Sequence, residues 1–170
     1  MVNKKGQIME LPFQLIFSII LIAVFISAAA YGIRYFMQRG EQVQIGTFLN
    51  DLDSKVYSAW QATEKSEIYS FTLPSSIKKV CFSTFNSLKY DRTQCPEFEI
   101  YRETAAMKGS NVFFCPPENA YKVGAPVDYR IDCDGNECLA FPKEPYCIAN
   151  EGTIKIRLEK NLGESEVRLS

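Results

Sequence analysis

Nineteen consecutive uncharged, mostly apolar residues, 15–33 (LIFSIILIAVFISAAAYGI), dominate the hydrophobic pattern of the chain. At about 1.5 Å of rise per residue they span roughly 29 Å, close to the hydrocarbon thickness of a bilayer. The pattern then turns amphipathic: Ile45, Phe48, Leu49, Leu52, Val56, Ala59 and Trp60 recur at three- and four-residue steps, with Gln44, Asp51, Lys55 and Ser58 off that face. Together the two patterns predict a transmembrane helix over 13–36 and an amphipathic extension over 37–66, a rod of roughly 50 residues and about 75 Å. Gly32, Gly40 and Gly46 each cost about 1 kcal/mol relative to alanine, so the rod is expected to bend or melt near the membrane exit.

From residue 67 the period changes to two. Residues 67–73 and 77–82, joined by Pro74-Ser75-Ser76, read as a hairpin. Shorter strands are expected at 98–101, 111–114, 127–131 and 138–141. The clearest alternation comes last, with Ile154, Ile156 and Leu158 on one face and Lys155, Arg157 and Glu159 on the other. The turn Asn161-Leu162-Gly163-Glu164 should close a hairpin onto 166–169. The expected fold is therefore α+β: a long amino-terminal helix packed on a mostly antiparallel, disulfide-braced β-rich domain over 67–170.

Cysteines enter because they set the compartment. Cys81, Cys95, Cys115, Cys133, Cys138 and Cys147 all follow the apolar stretch. An even set in a small domain is expected where thiols oxidise, which places the amino terminus in the cytoplasm and the rest outside. Basic residues do not decide this, since Lys4 and Lys5 precede the span and Arg34 and Arg39 follow it. Fifteen full pairings are open; a local Cys133 to Cys138 bridge is favoured by the tight turn Asp134-Gly135-Asn136.

Charge and chemistry narrow the function. Nineteen basic against twenty acidic residues give a net charge of -1, so no global field favours nucleic acid. Histidine is absent, which removes the commonest general base and metal ligand, and there is no Cys-x-x-Cys pair. Neither a phosphate-cradling glycine loop nor a Gly-x-Ser-x-Gly elbow is present. No catalytic residue, no cofactor and no metal are expected. Asp132, Asp134 and Asn136 alternate as calcium-loop ligands do, but Glu137 and Lys143 stand where an EF-hand needs glycine and glutamate, which leaves a solvated acidic turn as the main reading and an irregular calcium site as the alternative.

The start of the chain carries the remaining signal. Lys4-Lys5-Gly6-Gln7, then the carboxylate of Glu10, then a long apolar helix, resembles the class III signal peptide of archaeal type IV pilin-like proteins. The resemblance covers about residues 3–35. It implies leader cleavage between Gly6 and Gln7 by a prepilin-type peptidase and an assembly role for Glu10. It further implies a structural surface protein, a homo-oligomeric filament built through the hydrophobic helix. Glu10 would be the fourth mature residue, where the family pattern has its glutamate fifth. Two other readings fit the same segment: an ordinary secretory cleavage before Tyr31, after Ser27-Ala28-Ala29-Ala30, and an uncleaved anchor carrying an extracellular binding module.

Overall fold

In the computed structural model the described residues are 10–84, 93, 95, 96, 99, 109–142 and 145–170. The elements run α1 (Glu10–Gln61), β1 (Lys65–Thr72), β2 (Lys79–Phe82), β3 (Val112–Cys115), α2 (Pro117–Lys122), β4 (Asp128–Tyr129), β5 (Leu139–Ala140), β6 (Tyr146–Ala149), β7 (Thr153–Lys160) and β8 (Val167–Leu169). The chain divides into two units, up to Arg39 and from Gly40 onward.

The first unit contributes the apolar part of α1. Its stretch of mean hydropathy 2.5 has no residue buried within the protein, and Phe17, Ile20, Val24, Phe25 and Ile33 are all more than half exposed. Such a surface is unfavourable in water and matched to lipid. It is long and apolar enough to cross a membrane. The expected melting near the glycines does not occur: Gly32, Gly40 and Gly46 all lie within α1.

The second unit is α+β. Ile45, Phe48, Leu49, Leu52, Val56 and Ala59 are each at most 2 % exposed, so the face read from three- and four-residue spacing is the buried face of α1. Phe48 packs its ring against Phe71 of β1 at 5.4 Å and Phe114 of β3 at 6.0 Å, edge-on in both cases. Those two contacts reach both sheets. One sheet has the order β1-β7-β8-β5, the other β4-β3-β2-β6. Every pair is antiparallel except β5 with β8.

β7 behaves as its alternation predicts, with Ile154, Ile156 and Leu158 buried and Lys155 and Arg157 exposed. The closing hairpin also forms, pairing Leu158 with Leu169 and Glu159 with Arg168. Its turn has Glu164 N–H donating to the Asn161 carbonyl at 3.1 Å, with Gly163 at a φ of +83°. A positive φ at the third turn position is where glycine is needed.

The expected hairpin of 67–73 with 77–82 does not form. β1 pairs with β7, Lys65 opposite Lys160 through Thr72 opposite Thr153, while β2 lies between β3 and β6. Burial explains the divergence. β1 keeps a solvent face of Ser66, Ile68, Ser70 and Thr72 and matches β7, which also has one. Val80, Cys81 and Phe82 are wholly buried and need cover on both faces. The intervening turn redirects the chain and is clipped by Asn150, whose Nδ2 donates to the carbonyls of Pro74 at 3.0 Å and Ile77 at 2.8 Å.

Other boundaries shift as well. The helix ends at Gln61 instead of continuing to 66, and β1 already begins at Lys65. β3 is displaced one residue from 111–114, while β4 and β5 are shorter than 127–131 and 138–141. The expected strand at 98–101 lies outside the described residues apart from Glu99. Neither β6 nor α2 is anticipated, although Pro117 in the first turn of α2 is a standard helix-start signal.

Candidate functional site

Two features of this chain bear on function: the apolar stretch of α1 and the disulfide-covered sheet. Within the stretch, the two serines bond back to their own helix, Ser18 Oγ donating to the Gln14 carbonyl at 2.8 Å and Ser27 Oγ to the Ala23 carbonyl at 2.8 Å. Both hydroxyls thus spend their donor on the preceding turn, as a hydrocarbon environment requires. Around Ile33 the surface becomes aromatic and basic. Tyr31 and Phe36 are 75 % and 76 % exposed, and Arg39 Nε donates to Tyr35 Oη at 3.3 Å with its guanidinium 5.2 Å from that ring. Exposed tyrosines beside arginines form the girdle found where a helix leaves a bilayer. The sequence reading uses Arg34 and Arg39 only as charges; the four-residue step from Tyr35 to Arg39 is the signal it misses.

The leader residues Gly6 and Gln7 lie outside the described residues. Glu10 is the first residue of α1, and its side chain also lies outside them.

All six cysteines are paired: Cys81 with Cys147, Cys95 with Cys115, and Cys133 with Cys138. The last is the bridge expected from the tight turn. The other two share one face of the second sheet. Alternate residues Val80, Phe82, Val112 and Phe114 face the main core. Cys81, Phe113 and Cys115 point to the opposite face and meet Cys95, Cys147 and Val127. Sulfur supplies much of the cover that this second face needs, so these disulfides act as packing as well as cross-links.

Asp132 and Asn136 are hydrogen-bonded within one turn that includes Asp134. Asp132 Oδ2 receives Arg130 Nε at 3.0 Å, while its Oδ1 accepts the Gly135 N–H at 2.9 Å. Asn136 and Cys133 exchange backbone bonds at 3.0 and 3.1 Å. The asparagine Nδ2 donates to the Asp134 carbonyl at 3.3 Å. The alternation that resembles a calcium loop therefore builds a hydrogen-bonded turn closed by the Cys133–Cys138 bridge. Among the described residues no group of three or more His, Cys, Asp or Glu side chains is placed to hold a metal ion.

Electrostatic perturbations are few. Burial, then repulsion from Asp132, pushes the Asp53 carboxyl above its ordinary value. Burial also raises the Tyr129 phenol, with Asp53 and Asp132 adding to it. On β1, a hydrogen bond with Tyr69 and the neighbouring Lys65 lower Glu67. Asp53 and Tyr129 are part-buried and Glu67 is exposed.

Comparison with known proteins leaves the argument with the geometry: no family model matches the chain, and neither a curated protein nor a solved structure does. One helix carries a stretch able to cross a membrane, and three disulfides suggest that the domain following it lies in an oxidising, extracellular compartment.

Proposed function

We propose that this chain is a structural cell-surface protein, a pilin-like subunit held in the membrane by α1 and assembled through it. One observation carries the reading: a single helix, Glu10–Gln61, supplies both a lipid-matched surface and the buried face of a disulfide-braced domain. A tether need only insert, and a flexible linker would serve it. Here, instead, the same helix carries the apolar stretch and supplies a face of the domain core, with no separate linker segment between them. In this mechanism a prepilin-type peptidase cuts between Gly6 and Gln7, the amino terminus stays cytoplasmic until then, and the apolar stretches bundle with their copies. Glu10, costly as a free carboxylate at the membrane boundary, is neutralised by a neighbouring amino terminus.

The test is the intact mass and amino-terminal peptide of protein taken from its native membrane, followed by Glu10→Ala. A start at Gln7 with filaments lost in the variant is the expected result. A start at Met1 favours the alternative of an uncleaved anchor bearing a binding module. Filaments that persist in the variant remove the assembly role of Glu10.

A further inference from the structure

Gln42 is three residues past Arg39, so at most about 10 Å of chain separates it from the aromatic and basic girdle. Around Gln42 the domain ties down a second element. Gln42 Nε2 donates to the Gly124 carbonyl at 3.0 Å, directly after α2. Next to it, Ser76 Oγ donates to Glu41 Oε2 at 2.8 Å, and Asn119 Nδ2 of α2 donates to the Ser76 carbonyl at 2.7 Å. These three bonds hold α2 at the level of the first domain residues of α1.

The outward side of α2 suits an interface between water and lipid. Pro117 and Ala120 are buried, anchoring it inward. Tyr121 is 70 % exposed, an aromatic ring with a polar tip. Lys122 follows it, held loosely by Glu118 at 3.8 Å with both side chains more than half exposed. Lys78 lies on the adjoining turn, its Nζ donating to the Ser75 carbonyl at 2.8 Å. Of the acidic groups at this end, Glu41 is engaged by Ser76 and Glu118 by Lys122.

We propose that α2 is the domain's foot on the membrane. In the inserted protein Tyr121 enters the headgroup layer, and Lys122 and Lys78 face lipid phosphates. The inference rests on the membrane-inserted half of the function proposed above and is independent of assembly.

Trp60 is the only tryptophan in the chain, which makes fluorescence decisive. Full-length protein is reconstituted in phosphatidylcholine–phosphatidylglycerol vesicles, with and without a mixture of lipids brominated near the carbonyl end and near the methyl end of their acyl chains. Three forms are compared: the parent, Tyr121→Trp, and Phe25→Trp as a reporter of insertion. The foot predicts that bromolipid removes emission added at positions 121 and 25 but leaves that of Trp60. Emission at 25 quenched with that at 121 untouched overturns the foot and leaves the anchor standing. Emission untouched at both positions overturns the anchor and the foot together. A Lys122→Glu change in the Tyr121→Trp background should weaken the quenching at 121; unchanged quenching removes the lysine from the contact.

Discussion

Asp53 lies on the half-buried flank of α1, where burial and the Asp132 carboxylate hold its proton more tightly than in the unfolded chain. For an acid whose folded pKa is raised, the favourable contribution is complete below the unfolded value and is lost as pH rises through the folded one. Asp53→Asn should therefore stabilise the domain at neutral pH. The gain should be a few tenths of a kcal/mol after screening is allowed for, and should vanish below the ordinary carboxylate value of 3.8. Urea midpoints of parent and variant across that range check it; a difference independent of pH would show that the charge is not the cause. Sequence gives no hint of this pairing, because residues 53 and 132 meet only through the tertiary fold. Asn111 is similar. It reads as the first residue of a strand, yet its side chain is buried and takes over backbone pairing, Nδ2 donating to the Ile131 carbonyl and Oδ1 accepting from the Ile131 N–H, both at 2.8 Å.

Elements with one covered face are the ones that local sequence reveals. The buried face of α1 and the alternation of β7 are legible because each has a solvent side whose polar residues mark the period. β2 and β3 are central and covered on both sides, so their apolar runs do not say which strand they join. That is why nearness along the chain suggests a β1–β2 hairpin and the fold rejects it. Glycine in α1 offers a test at this scale. A methyl group added at Gly46 would meet nothing within 4 Å, and the backbone there is helical. Gly46→Ala should raise stability by about 1 kcal/mol, by reducing the freedom of the unfolded chain. Thermal unfolding of the domain checks the sign; a lower midpoint would mean that this position needs its glycine.

Across the whole second unit the three bridges differ in reach. Cys81–Cys147 spans 66 residues and Cys133–Cys138 only 5. On chain-entropy grounds, replacing both partners by serine should cost about 4 kcal/mol for the long bridge and about 2 kcal/mol for the short one. Urea titration of the two double variants measures that order, and a greater loss from the short bridge would overturn the entropic account. Spacing reveals the short bridge alone, since Asp134-Gly135-Asn136 brings its ends together locally. The other pairings depend on which strands adjoin, information that alternation does not hold. The apolar stretch is fully legible, being a matter of length and hydropathy, whereas the tie between Gln42 and Gly124 crosses 82 residues and shows only in the fold.

The bridges are also nested: both short-range ones fall inside the loop closed by Cys81 and Cys147. Tension applied between the two ends of the domain therefore bypasses that loop. About 230 Å of contour cannot unspool, at roughly 3.5 Å for each of the 66 residues. Besides α1, β1, β7 and β8, just the outer ends of β2 and β6 lie on the load path, since force crosses from Cys81 to Cys147. A protein drawn taut at the cell surface would yield first in the β1–β7–β8 sheet while the second sheet stays closed. A cut inside the loop would leave the chain in one covalent piece.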